Sequence, residues 1–229
     1  MSEDGMRKIA VFDFDGTITE SDTLAPFLLK FAGTARFLYS ALRHAPTMLS
    51  AAIGAGNRDA AKEKFLVSLI GGRPEGELVR AGNEYAALVL REEKFNTEVI
   101  ERLAWHRAEG HEIVVISASL DVYIQAIAAA LGAAKAFGTE IEVESGVLTG
   151  RLRGGNVRAA NKVKRLEGWL NHTLDHSLDH SPDHSLDHSL DREGCEIWAY
   201  GDSSGDDELL ERSAHPHRVK NGQIKAATR

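Results

Sequence analysis

The chain alternates between two apolar rhythms. Residues 8 to 14, Lys-Ile-Ala-Val-Phe-Asp-Phe, form a short continuous apolar run that ends in acid and is followed by Gly16. That is the pattern of a strand buried on both faces whose carboxyl end opens into a loop. Glu112 to Ile116 repeats it before Ser117-Ala118-Ser119, and Glu196 to Tyr200 repeats it before Gly201-Asp202-Ser203-Ser204-Gly205-Asp206. Around these runs the period becomes helical: Thr97 to Glu109 leads into the second strand, Asp121 to Leu131 leaves it, and Asp206 to Arg212 leaves the third. Strands alternating with helices predict an α/β fold, a doubly wound parallel sheet with its ligand at the strand carboxyl ends. The polar tips of the three strands then meet on one edge.

Between the first two strands the spacing predicts only helices, at Thr23 to about Ala32, Thr34 to Ile53, Arg58 to Leu69 and Pro74 to Glu92, punctuated by Gly33, Gly54, Gly56, Gly71 and Gly72. Such a block reads as an all-helical cap domain over residues 22–95, inserted into a catalytic core made of residues 1–21 and 96–229. A cap that closes over a site excludes water and selects substrate. Within it, Leu24 to Ile53 is the most apolar stretch, but Lys30, Arg36, Arg43 and His44 interrupt it short of a spanning length. Buried or amphipathic helices are expected there, with contact with a membrane surface as the alternative. Further on, Glu140 to Glu144 and Val147 to Arg151 read as an edge hairpin turning at Ser145-Gly146, and Asn161 to Leu170 as a helix with Lys162 in its first turn.

From Thr173 to Asp191 the sequence is a tandem Leu-Asp-His-Ser repeat, with Pro182 replacing one Leu. A period of four would align its histidines on one helix face, which suits metal binding. Ser, Asp and His are weak helix formers, however, and Pro182 would break any helix midway. Residues 171–191 are therefore read as an exposed low-complexity insertion, with a histidine-rich metal-binding module as the rival.

Composition narrows the function. At 43% apolar and 27% charged residues the chain can fill a core, which excludes a wholly disordered polypeptide. A formal net charge of −7 argues against nonspecific nucleic-acid binding, so no nucleic-acid partner is expected. An anionic substrate must then be held locally, by a metal or by positioned donors. The single cysteine, Cys195, cannot form an intrachain disulfide and reads as a small core hydrophobe. The amino-terminal residues have no signal-peptide pattern, so a cytoplasmic location is expected, for a monomer or homodimer.

The segment Asp13-Phe14-Asp15-Gly16-Thr17-Ile18-Thr19 sets two carboxylates two residues apart where a strand gives way to a loop. Acids so placed divide a phosphoryl transfer: one attacks phosphorus, and the other, protonated, delivers a proton to the leaving alcohol. An isolated Asp-x-Asp carries little weight, and a calcium-loop reading fails because Gly16 stands fourth rather than sixth. The weight comes from the order of the downstream residues: a strand ending in Ser117, Lys162 opening a helix, then Asp202 and Asp206 after the third strand. Hydroxyls and backbone N–H groups bind phosphate oxygens, a lysine balances their charge and carboxylates hold Mg²⁺. Asp13, Asp202 and the main-chain carbonyl of Asp15 suffice as metal ligands, with Asp206 acting from behind them. Asp22 is either a capping residue for the next helix or a substrate contact. Among Arg58, Lys62, Arg73 and Arg158, the sequence does not choose a substrate contact.

These four ordered motifs resemble those of the haloacid dehalogenase superfamily, within it the branch similar to phosphoserine phosphatase, over about residues 6 to 220 without the repeat. The resemblance implies a Rossmann-like core with a type 1 helical cap. It makes Asp13 the nucleophile, Asp15 the general acid/base, Thr17, Ser117 and Ala118 phosphate-binding residues with Lys162, and Asp202 and Asp206 the metal acids. Gly16 and Asp22 stand where phosphoserine phosphatases tend to carry Ser and Glu, which makes the run look more like less-characterised bacterial hydrolases of that branch, a branch that also contains phosphatidylglycerophosphatases. The expected activity is Mg²⁺-dependent hydrolysis of a small phosphomonoester through an aspartyl-phosphate. The alternatives are a lipid phosphate as substrate and, in another class, a phospho-accepting regulatory domain.

Overall fold

In the computed structural model, the described residues are 6–53, 56–175 and 195–227. The short apolar run near the amino terminus becomes β1 (Arg7–Phe12), the middle strand of a seven-stranded sheet. Parallel to it lie β2 (Glu112–Leu120) on one side and β5 (Cys195–Gly201) on the other. Beyond β2 come β3 (Lys135–Glu144) and the antiparallel edge β4 (Val147–Arg153); beyond β5 come β6 (His215–Lys220) and the antiparallel edge β7 (Gln223–Ala226). The order β4-β3-β2-β1-β5-β6-β7 reverses direction of winding at β1. In open α/β sheets the crevice outside that switch point is where ligands bind.

Both faces of the sheet are covered, which is why β1 is apolar at successive positions. Ile9 and Val11 pack with Val163, Leu166 and Leu170 of α7 (Ala160–Asp175) and with Leu209 and Leu210 of α8 (Asp207–Glu211). Cys195 lies in this core, as expected of a small hydrophobe. Ala10 and Phe12 face the other way, toward Leu103 of α5 (Thr97–Ala108) and Ile124 of α6 (Asp121–Ala130). The helices between β1 and α5 join this second core: α1 (Leu24–Ala32) through Phe27, α3 (Arg58–Ile70) through Leu66 and α4 (Glu75–Glu92) through Tyr85. Only α2 (Thr34–Ala52) sends no fully buried large side chain into it.

Several boundaries differ from the sequence reading. The first strand stops at Phe12, so Asp13 and Phe14 lie past its end, although Asp13 N–H still donates to Tyr200 O at 2.9 Å. The second runs on through Ser117-Ala118-Ser119 to Leu120. The hairpin is present, but β3 starts at Lys135 because its first half pairs in parallel with β2. Lys-Ala-Phe-Gly-Thr has neither alternation nor a long apolar run, and the pairing that makes it a strand is tertiary. The sequence reading omits β6 and β7; His-Pro-His-Arg in β6 carries neither a continuous apolar run nor an apolar alternation. The helix carrying Lys162 extends to Asp175, past Leu170 and into the first residues of the repeat; the rest of the repeat lies outside the described residues. No helix among the described residues is long and apolar enough to cross a membrane.

Candidate active site

The loop after β1 carries the site. Gly16 has φ +76°, a left-handed conformation that glycine adopts without strain. It lets the backbone close one wide turn, in which Thr19 N–H donates to Phe14 O at 2.9 Å. A β-carbon at Gly16 would also stand 2.5 Å from Oδ2 of Asp202, so the glycine leaves the space that this carboxylate occupies. Asn96, at the start of α5, clamps the loop from behind, its Nδ2 donating to Thr17 O at 2.7 Å and Thr19 O at 3.0 Å.

The tips of β1, β5 and α7 bring one ammonium between two acids. Lys162 Nζ bonds Asp13 Oδ1 and, at 2.5 Å, Asp206 Oδ1. Asp206 is fixed in turn by Ser203, whose N–H and Oγ–H each donate to its Oδ2 at 3.0 Å. Thr17 Oγ1 donates to Asp13 Oδ2 at 3.2 Å. Carboxylate oxygens of Asp13, Asp202 and Asp206 all lie within 4.8 Å of one another. Burial pushes Asp13 up to about 8 while the Lys162 ammonium opposes the shift. Burial works against the charge on Lys162, yet Asp13 and Asp206 hold its pKa well above the ordinary lysine range. Burial, with Asp206 nearby, also raises Asp202.

Asp15 sits across the cleft in a different setting. Its Oδ1 accepts from Thr23 N–H at 2.7 Å and Thr23 Oγ1–H at 2.6 Å, and its Oδ2 accepts from Ser119 Oγ at 2.5 Å. Tyr85 OH donates to Thr23 O at 3.0 Å, and Tyr123 OH lies 3.2 Å from Thr23 Oγ1, so a buried layer supports the acid. Burial raises the Asp15 pKa, and the Ser119 and Thr23 hydrogen bonds pull it back.

A cleft of about 460 Å³ opens over these groups. Asp13, Asp15, Ala118, Lys162, Asp202 and Asp206 line it, as does Asp22. Thr17 and Ser117 are fully buried beside it. Ser117 Oγ accepts from Ser119 N–H at 2.9 Å and lies 3.4 Å from Asp15 Oδ2, while Ser119 itself reaches the cleft. Asp22 accepts from Ala25 N–H at 2.9 Å, the contact of a residue capping α1. The four basic candidates separate. Arg158 lines the cleft. Lys62 is drawn under it, donating to Ala118 O at 2.5 Å and Asn156 Oδ1 at 2.7 Å, and burial lowers its pKa to about 8. Arg73 covers the Phe31 ring at 3.7 Å, and Arg58 bonds Ala51 O at 3.2 Å.

Sequence reasoning missed Thr23, Asn96, Tyr85 and Tyr123, and chose Ser117 without Ser119. An Asn immediately before a predicted helix is a visible signal, but it reads as a cap; that its side chain bonds the site loop is a tertiary fact.

Residues 10–211 match the profile of the haloacid dehalogenase-like hydrolase family. The chain belongs to that family of hydrolases. It is 30% identical over 206 residues to Protein CicA of Caulobacter vibrioides, covering 88% of this chain and 81% of the relative. It is 29% identical over 161 residues to a phosphoserine phosphatase of Archaeoglobus fulgidus, covering 70% of this chain and 42% of that one. A solved protein of unknown function from Bordetella pertussis Tohama I superposes with TM-score 0.72 at 25% identity, over 92% of this chain and 89% of that one. The expected membership and fold class are thus borne out.

Proposed function

We propose that this chain is a Mg²⁺-dependent phosphomonoester phosphatase that works through an aspartyl-phosphate on Asp13. The observation that carries the reading is the convergence on one cleft of a lysine-bridged acid pair, a third acid and a separately held carboxyl at Asp15. Asp13, whose charged form the Lys162 ammonium favours against burial, attacks phosphorus, forming a bond from its carboxylate oxygen as the bond to the leaving oxygen breaks. Asp15, whose raised pKa favours the protonated form, gives its proton to that oxygen. The carboxylate it becomes takes a proton from water as that water attacks phosphorus, releasing inorganic phosphate and restoring Asp13. Lys162 stays charged beside Asp13 and balances the phosphate oxygens, with the backbone at Ala118 as a further donor, while the buried Thr17 and Ser117 hydroxyls support Asp13 and Asp15 from beside the cleft.

The donor set fits a hard divalent cation. Three carboxylates with oxygens within 4.8 Å are answered by one ammonium, which leaves excess negative charge in a mostly buried pocket. The space at Gly16 keeps Asp202 aimed there. Asp13, Asp202 and the Asp15 carbonyl would hold the ion, with Asp206 behind them. Bound there, Mg²⁺ supplies charge neutralisation for the transferring phosphoryl group.

Helices α1 to α4, residues 22–95, act as the cap in this reading, with Leu24 in the cleft wall. Glu20, Asp22 and Arg158 give the cleft a mixed-charge rim, suited to a small phosphorylated metabolite with charged groups of its own, such as a phosphoserine-like compound. A panel of phosphomonoesters assayed with Mg²⁺ and with excess chelator tests the proposal: metal-dependent phosphate release is expected, and hydrolysis indifferent to chelation would overturn it.

A further inference from the structure

No acidic residue stands between Asp22 and Asp59, although the whole chain carries a net charge of −7. Among the described residues, the same segment holds most of the large apolar side chains that the fold leaves outside. On α2 and its carboxyl-terminal cap, Leu38, Leu42, Leu49 and Ile53 are 54%, 78%, 66% and 74% exposed, and Tyr39 is 65% exposed. At about 100° per residue, the four aliphatics fall within an arc of about 60°. The opposite side of the helix is the packed one, where Ser40 is buried and Phe37 meets Phe65 edge-on at 5.7 Å.

Isolated exposed leucines need no explanation, but a continuous outward stripe does. On one side of it stands Arg43; Arg36 is turned toward the end of α3, donating to Ser68 O at 3.0 Å and Gly71 O at 3.4 Å, and Arg58 donates to Ala51 O at 3.2 Å near the carboxyl end of α2. An apolar stripe flanked by cations without acids is the composition of a helix that lies in a lipid interface, its aliphatics among acyl chains and its arginines at anionic headgroups. A second copy of the chain fits less well, because a two-fold contact would set each arginine-flanked stripe against its own equivalent with no acid in the segment to answer it.

We propose that the outer face of α2, with its tip near Ile53, docks the protein on an anionic lipid bilayer. This rests on the exposed stripe and its charge, independently of the catalytic reading. Binding is therefore measured without turnover, by co-sedimentation with vesicles.

Vesicles of mixed phosphatidylglycerol and phosphatidylcholine should sediment the protein, pure phosphatidylcholine much less, and added salt should weaken the anionic case. Changing Leu42, Leu49 and Ile53 together to Ser should lower partitioning at least about tenfold. The melting transition should stay unchanged, since these side chains are exposed. Arg43→Glu should weaken binding to anionic vesicles alone. Should the triple variant unfold, a polarity-sensitive dye on Leu42→Cys reports the same contact, because the native Cys195 is buried. Its emission should shift to the blue on anionic vesicles. No vesicle binding by the wild type, binding indifferent to lipid charge or to the triple change, or an unshifted dye would each overturn the proposal. So would light scattering that shows a dimer which the triple change converts to monomer.

Discussion

Ser119 donates its hydroxyl to Asp15 Oδ2 at 2.5 Å while the other oxygen of that carboxyl is held twice by Thr23. The acid is thereby kept apart from the Lys162 cluster: burial raises the pKa of both carboxyls, but the Lys162 ammonium opposes the shift at Asp13, whereas Asp15 is held by neutral donors alone. Two carboxylates two residues apart in sequence thus have different chemistry, which an acid/base pair for phosphoryl transfer requires.

Removing this support should change catalysis more than folding. Thr23→Val deletes the hydroxyl donor and keeps the shape, at a stability cost of about 1 kcal/mol. The expected result is a clear fall in kcat on an alkyl phosphate, which needs a proton at its leaving oxygen. The fall should be smaller on an aryl phosphate, which leaves readily without one. Equal losses on both substrates would mean that Thr23 does not act through Asp15.

Gly16→Ala should be costly although it adds one methyl group. The left-handed φ costs about 1 kcal/mol in a residue with a β-carbon, and that carbon would press on Asp202. Mg²⁺ should then raise the melting temperature of the wild type but hardly that of Gly16→Ala, since only a ligand that binds the native state stabilises it. An unchanged Mg²⁺-dependent shift in the variant would contradict the placing of the ion beside Asp202.

The fold should be sensitive to mild acid. His106 is fully buried, with Nδ1 2.7 Å from His111 Nδ1 and Nε2 2.9 Å from Tyr200 OH, and burial pushes its pKa down to about 3. The unfolded chain therefore takes up this proton at a higher pH than the native one. The stability is complete above the ordinary histidine range near 6.5 and is lost as pH falls from there toward 3. His111 and His217, also lowered by burial, add to the loss. Urea midpoints should fall between neutral pH and about pH 5, and His106→Gln should flatten that dependence; a midpoint constant over this range would refute it.

What the sequence discloses and what it hides divide along a physical line. β1, β2 and β5 are legible because burial on both faces leaves continuous apolar runs, and their polar tips mark the cleft. The order of Asp13, Ser117, Lys162 and Asp202 is legible because phosphoryl transfer restricts which side chains serve. The supporting layer is not: Tyr85 and Tyr123 read as ordinary core aromatics on α4 and α6, and only packing brings their hydroxyls to Thr23. Nor is the fate of basic residues legible, since Lys62 and Arg158 look alike in sequence, while one is drawn under Ala118 and the other reaches the cleft. His215 and His217 hide β6 because their strand character comes from stacking on Trp198 at 4.4 Å and Tyr200 at 4.7 Å.

The most direct test is to look for the covalent intermediate itself. In Asp15→Asn, attack on an aryl phosphate needs no proton donor, but the subsequent hydrolysis lacks its base, so the intermediate should accumulate. Acid quenching, digestion and mass spectrometry should then find one phosphoryl group on the peptide that carries Asp13, and none in Asp13→Asn, whose turnover should drop by several orders of magnitude. A phosphoryl group on any other residue, or near-wild-type turnover by Asp13→Asn, would contradict Asp13 as the nucleophile.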